Sequence, residues 1–302
     1  LNWRKLEENF GSESGYLGFL RDSPSAAQRL CHVLSNSRFL GDALNKSVES
    51  VTWLGNDDSL QPRSRESLDI QTKATLERNA GNINDFANSI RAMRRHEIER
   101  IGLAWMSGVI DDEASLAGMT DVYDAAIEAS LQWAIQHRIN DIQIDEAPAA
   151  IAIIGMGRYG GREVNFSSDA DVIIIYRPAE GADDDQANLF ARKVQEDLRA
   201  ILQGPTTFEP KIELDMDLRP EGKNGPLVRS YASCEEYYRS WASTWEHQAL
   251  LRARYAAGDA SLAEDFLMNI ADPLRYPKID LTETQIAEIR KLKARMEAER
   301  LP

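Results

Sequence analysis

The sequence predicts an α+β protein, with a small mixed sheet and flanking helices, preceded by a helical region. Three observations carry that reading. Apolar residues recur at helical spacing through the first ~145 positions. At Pro148 the pattern switches to short apolar runs, AAIAIIG and then DVIIIY, punctuated by glycines and acidic residues. After Pro226 helical spacing returns. We expect a helical N-terminal region over 1–120 and a catalytic region with C-terminal helices over 121–302.

The elements follow in order. Ser23-Pro24 is a helix start, with proline at the first helical position. Leu30, Val33 and Leu34, then Leu40 and Leu44, keep the helical period, and GNDDSLQP over 55–62 reads as a loop. Leu76, Ile83, Phe86 and Ile90 continue through Ile98 and Ile101 to Trp105, and a further helix is expected over Val122–Ile135. AAIAIIG and DVIIIY (171–176) read as buried strands, the second rich in β-branched residues. KIELDMDL (211–218) alternates, with Ile212, Leu214, Met216 and Leu218 on one face and Glu213, Asp215 and Asp217 on the other. An amphipathic helix is expected over Gln186–Leu202. A single helix is expected over Cys234–Arg254, and a last one from Thr282.

Composition narrows the function classes. With 43% hydrophobic and 28% charged residues the chain has the balance of a globular protein. A net charge of −14 argues against a nucleic-acid partner, because proteins that track phosphates present basic faces. No apolar run reaches the ~18 residues of a membrane span, and LNWRKLEENF lacks a secretory core. Two distant cysteines, Cys31 and Cys234, exclude a disulfide scaffold or structural zinc site and fit a reducing cytoplasm. His96-Glu97 opens a zinc-protease motif, but Arg100 stands where the second histidine belongs. The missing initiator Met and the ending ERLP lead us to expect a piece of a longer polypeptide.

GMGRYGG (155–161) follows a strand and invites a dinucleotide-binding reading. That fingerprint needs a crossover helix and an acidic residue ~20 positions on. Only Arg162 to Ser168 separate Gly161 from Asp169, and a parallel crossover takes a dozen residues or more. The spacing fits instead a strand, a glycine turn and a second strand opening on Ser168-Asp169-Ala170-Asp171. In a strand, i and i+2 point the same way, so both carboxylates share a side. Adjacent like charges call for a cation, and hard oxygen ligands suit Mg²⁺ or Mn²⁺. Glycines let backbone N–H groups approach a triphosphate. Asp215 is the expected third carboxylate, with Asp217 the fallback if the register is off by one pleat.

Glycine pair, short spacer, Asp-x-Asp and a distant strand aspartate together resemble the polymerase-β-like nucleotidyltransferase superfamily. More specifically, GMGRYGGREVNFSSDADVIIIY, LDMDLRPEGKNGPLVRS and YYRSWASTWEHQALLRARYAAGD are similar to the glutamine synthetase adenylyltransferase family, from about Ser23 to the C-terminus. The resemblance implies two homologous nucleotidyltransferase domains in one long polypeptide. The C-terminal copy adds AMP from ATP to a tyrosine of glutamine synthetase, and the N-terminal copy removes it by phosphorolysis. IRKLKARMEAERLP and RPEGKNGPLVRS resemble the adenylylating copy more, while NFSSD also suits the removing one. A catalytically silent nucleotide-sensing module is the alternative from another class.

On this resemblance Asp169, Asp171 and Asp215 are the catalytic and metal-holding residues, and Gly160, Gly161 and Ser168 contact phosphates. Arg219, Lys223 and Arg229 are phosphate candidates or else salt-bridge partners. Arg158 reads as surface. Cys234, Tyr237, Trp241 and Trp245 read as a core stripe, with an adenine shelf the alternative. Glu246, Arg252 and Arg254 are candidates for lining the cleft. Glutamine synthetase is the implied protein substrate, with glutamine and the PII signalling protein as regulators through the full-length protein.

Overall fold

The structure, a computed structural model, describes residues 14–205, 209–278 and 281–300; LNWRKLEENF and the closing Leu301-Pro302 lie outside the described residues. Helices α1 (Ser14–Asp22), α2 (Pro24–Asn36) and α3 (Arg38–Lys46) lead into a 3₁₀ stretch, Val48–Gly55. Pro24 opens α2 as its fixed φ favours, and Leu30, Val33, Leu40, Leu44 and Leu54 bury together. The expected loop over 55–62 is corrected, because it holds one helical turn, α4 (Asp57–Leu60). Asn56 caps that turn by accepting from the Asp58 amide at 2.9 Å, and Leu60 is drawn into the core.

Helices α5 (Arg65–Arg78) and α6 (Ile83–Met106) precede α7 (Asp112–Asp141). Helix α7 is far longer than the Val122–Ile135 expected from spacing, and it runs unbroken through positions 120 and 121. Its first turn is capped by Asp111, which accepts from the Ala114 amide at 2.8 Å. The apolar period fails to mark its extent because polar residues, Ser115, Thr120, Asp124 and Ser130, are buried along it. No described helix is long and apolar enough to cross a membrane.

Strand β1 (Ala149–Gly155) pairs antiparallel with β2 (Ala170–Pro178), Ile153 opposite Ile174. Antiparallel pairing across the glycine turn is what lets so short a connection join them. Helix α8 (Gly157–Gly160) is a single turn within that connection, and α9 (Asp184–Gln203) follows β2. Strands β3 (Leu214–Asp215) and β4 (Val228–Ser230) both pair parallel with β2, and β5 (Arg254–Gly258) pairs antiparallel with β1. The sheet is therefore mixed and five-stranded.

Both faces of the sheet are covered, which explains the continuous apolar runs of β1 and β2. Ile151, Ile153, Val172 and Ile174 pack with α5, α6, α7 and α9. Ile154, Ile173 and Ile175 pack with Cys234, Tyr238, Leu262 and Phe266.

Two expectations are corrected here. The alternation of Lys211–Leu218 is real in burial, with Ile212, Leu214 and Met216 inside, yet only Leu214–Asp215 pairs as strand. The helix expected over Cys234–Arg254 is instead α10 (Tyr231–Ser240), α11 (Thr244–Ala249), a 3₁₀ turn and the start of β5. Trp241 ends α10 at 75% exposure and Trp245 is 36% exposed, so neither joins Cys234 in a core stripe. Ser243 breaks the helix by forming a capping box with Glu246, which accepts from the Ser243 amide at 2.8 Å. The chain continues through α12 (Ala260–Phe266), a π turn and α13 (Asp272–Arg275) to α14 (Glu283–Arg300).

Candidate active site

The glycine turn is built for close approach. Gly157 has φ +52°, and a Cβ placed on it would lie 2.2 Å from Asp171 Oδ2, so the Asp171 carboxylate packs onto the bare glycine. A Cβ on Gly160 would meet the Arg252 carbonyl at 2.1 Å, where the chain before β5 crosses the turn. The Gly160 amide donates to Met156 O at 2.5 Å and the Gly161 amide to Gly157 O at 3.1 Å. Both amides are thus engaged inside the turn rather than offered outward. Ser168 is buried, its hydroxyl donating to Asn165 Oδ1 at 3.1 Å and accepting from the Asn165 amide at 3.0 Å.

The three aspartates converge through β2 and β3. Asp171 stands opposite Asp215 in the parallel register, and Asp169 lies two residues earlier. Asp169 and Asp215 line a cavity of about 490 Å³ with Glu213, Asp217, Lys223 and Arg199. Burial, then the neighbouring Asp169 and Asp215 carboxylates, push the Asp171 carboxyl up to about 6, against the opposing pull of Arg158. Arg158 is half-exposed, its guanidinium 4.0 Å from Asp169. Asp217, two residues past β3, is instead matched by Lys223 at 3.3 Å and Arg219 at 3.6 Å.

These carboxylates do not close into a cage. Among the described residues no three His, Cys, Asp or Glu side chains are grouped to hold a metal ion. Asp215 Oδ1 accepts from the Asp217 amide at 2.7 Å. A cluster of under-compensated carboxylates on an open cavity fits Mg²⁺ or Mn²⁺, which take one or two carboxylates and complete their shells with phosphate oxygens and water. It does not fit an all-protein site.

The basic candidates divide. Arg219 is buried, its guanidinium donating to three carbonyls, Gly225 at 2.9 Å, Met216 at 2.8 Å and Lys223 at 3.0 Å, so it organises the loop after β3. Lys223 is exposed on the cavity wall. Arg229 pairs with Glu221 at 2.6 Å and lies over the Tyr237 ring at 5.0 Å. Glu246 is buried and accepts from the Tyr237 hydroxyl at 2.8 Å, while Arg252 pairs with Glu163 at 2.5 Å. Arg254 lies behind the turn, forked onto Asp124.

Sequence reasoning missed the face of α7 that backs the site. Tyr123 donates to Ser168 O at 3.0 Å, Asp124 holds Arg254, and Glu128 accepts from the Gly258 amide at 2.7 Å. The one available signal was the i, i+4 recurrence of polar residues, 120, 124 and 128, in a run of alanines.

Residues 27–269 match the sequence model of the family described as Glutamate-ammonia ligase adenylyltransferase. The chain is 78% identical over all 302 residues to a bifunctional glutamine synthetase adenylyltransferase/adenylyl-removing enzyme of Bifidobacterium longum (strain DJO10A), covering 28% of that protein. It is 41% identical to proteins of the same name from Mycobacterium avium (strain 104) and Mycobacterium tuberculosis (strain CDC 1551 / Oshkosh), in each case over the whole chain and 30% of the relative. The chain thus spans under a third of these relatives' length. With the glycine turn and paired strand carboxylates in place, it belongs to the glutamate-ammonia ligase adenylyltransferase family.

Proposed function

We propose that this chain transfers AMP from ATP to a tyrosine hydroxyl of glutamine synthetase and releases pyrophosphate. The observation that carries the reading is the β2/β3 register, which sets Asp171 beside Asp215 with Asp169 two residues before. Asp169, Asp171 and Asp215 would hold Mg²⁺ or Mn²⁺, which when bound neutralises charge on the triphosphate and the departing pyrophosphate. Gly157 gives the Asp171 carboxylate its place. Lys223 on the cavity wall offers a mobile cation to phosphate oxygens. A tyrosine hydroxyl has a pKa near ~10, and Asp215 is the group we assign to receive its proton. The three basic candidates are not equivalent. With the Arg219 guanidinium committed to carbonyls and Arg229 paired with Glu221, Lys223, which lines the aspartate cavity, is the better phosphate partner.

A second reading stays in view because the relatives' name couples both activities and this chain covers less than a third of them. The same aspartates would then serve phosphorolytic removal of AMP. Regulation by glutamine and PII would act through the longer polypeptide.

The deciding assay incubates the chain with α-labelled ATP, Mg²⁺ and unmodified glutamine synthetase. Label on the synthetase supports adenylylation. ADP released from adenylylated synthetase and phosphate supports removal. Neither activity from folded protein rejects both.

A further inference from the structure

We infer that the groove between α9 and the outer edge of the sheet receives an extended, acidic segment of the protein that bears the acceptor hydroxyl. This rests on the proposed transfer to a protein and names where that protein would lie. The groove, about 800 Å³, is larger than the aspartate cavity and falls within the ~300–1,000 Å³ of ligand sites. The two adjoin, since Arg199 and Leu227 line both, and the second is the cavity that Asp169 and Asp215 line.

Three features define the occupant. The first is charge. In a protein of net charge −14, this wall presents Arg192 and Arg199, neither of which forms an ion pair among the described residues. The one acid on the wall, Glu196, is matched by Lys193 at 2.8 Å, with Arg192 one turn away also acting on its carboxylate. Two arginines against one acid give this wall a local excess of positive charge, which favours an acidic partner over a basic one.

The second is amide lining. Gln195 is 4% exposed among the groove's lining residues, and its buried Nε2 has no hydrogen-bond partner within the described residues. Arg199 Nε donates to Gln203 Oε1 at 3.1 Å, and Gln203 Nε2 donates to Leu214 O of β3 at 3.2 Å, tying the groove wall to the strand that carries Asp215.

The third is the edge. Among the described residues β4 pairs only with β2, and its first residue, Val228, lines the groove with the preceding Leu227. A free strand edge beside a polar trough suits an extended chain, which can add main-chain hydrogen bonds, better than a compact anion.

The test uses a fluorescently labelled short peptide of glutamates and alanines around one tyrosine, with a lysine-for-glutamate counterpart. The acidic peptide should bind and the basic one should not. Arg192→Glu should weaken binding about tenfold, about 1.4 kcal/mol. Arg192 is exposed on α9, so the fold should survive; Arg192→Gln, with a smaller loss, guards against a misfolded reversal. With glutamine synthetase as acceptor, Arg192→Glu should raise its KM about tenfold and leave the KM for ATP within about twofold. Equal binding of both peptides, or no effect of Arg192→Glu, overturns the inference. So does displacement of the peptide by inorganic phosphate, which would mark an anion pocket instead. If glutamine synthetase accepts no AMP at all, the proposed function fails while the peptide arm still decides the groove.

Discussion

Arg254 forks onto Asp124, its Nη1 and Nη2 donating to the two carboxylate oxygens at 3.0 and 2.8 Å. The pair joins β5 to α7 behind the glycine turn, and Arg254 Nη2 also donates to Tyr159 O in that turn at 3.1 Å. Asp124 is 3% exposed at the side chain and Arg254 21%, so the pair is shielded from water. Removing one partner of a buried pair strands the other and costs about 3–5 kcal/mol. Arg65 at 3.5 Å and Arg162 at 3.9 Å partly compensate Asp124, which puts Arg254→Ala at the lower end, about 3 kcal/mol. Urea unfolding reads it. Arg254→Lys keeps the charge without the fork and should recover less than half of the loss.

Gly157→Ala tests whether the turn exists to seat Asp171. The methyl would collide with Asp171 Oδ2 at 2.2 Å, on a backbone at φ +52° that side chains adopt at a cost of roughly 1–2 kcal/mol. The carboxylate must swing aside. We expect AMP transfer to fall about a hundredfold, with unfolding free energy lowered by no more than about 2 kcal/mol. Equal proportional losses in activity and folded fraction would show that the glycine serves only the fold.

How far the sequence could be read follows from the range of the contacts involved. β1, β2 and the Asp169/Asp171 pair were legible because they rest on neighbours within a few residues, a period of two and a spacer too short for a crossover. Asp215 was legible through alternation, although the strand that presents it is only two residues long. β5 was not legible, since RYAAG carries no β-branched residue and becomes a strand by pairing with β1 from a hundred residues away. Arg254 and Arg219 looked like site cations for the same reason. Composition places an arginine near a site, and only tertiary structure shows that its guanidinium faces Asp124 or three loop carbonyls.

Asp171→Asn should separate stability from activity. The folded carboxyl titrates at about 6, above its ordinary 3.8, because burial and Asp169 and Asp215 disfavour its charge. A raised carboxyl pKa means the folded state holds its proton longer. Without divalent metal, stability should therefore fall as pH rises from about 4 to about 6, then level off. The asparagine variant lacks that penalty and should be more stable than the parent at pH 8 in EDTA, by on the order of 1–2 kcal/mol after allowance for partial exposure. Its transfer activity should drop about a thousandfold. Near-normal turnover would remove Asp171 from the site.

Glu99 provides the control, a raised carboxyl remote from the aspartates. It is 1% exposed on α6, both its oxygens lack hydrogen-bond partners, and the nearest cation, Arg95, is 4.0 Å away. The Ser50 hydroxyl beside it is buried and likewise unbonded. Burial pushes its carboxyl up from 4.5 to about 7, with the Glu49 charge adding to the shift and Arg95 opposing too weakly to hold it down. The folded state again binds the extra proton, so stability is lost between about pH 4.5 and pH 7 and stays low above. Glu99→Gln removes the charge and supplies donors to the buried serines. It should gain on the order of 1–3 kcal/mol at pH 8, flatten the pH dependence above about pH 6, and leave AMP transfer unchanged. Chemical unfolding across pH 4 to 8 resolves the two carboxyls, because divalent metal should abolish the Asp171 step and leave the Glu99 step in place.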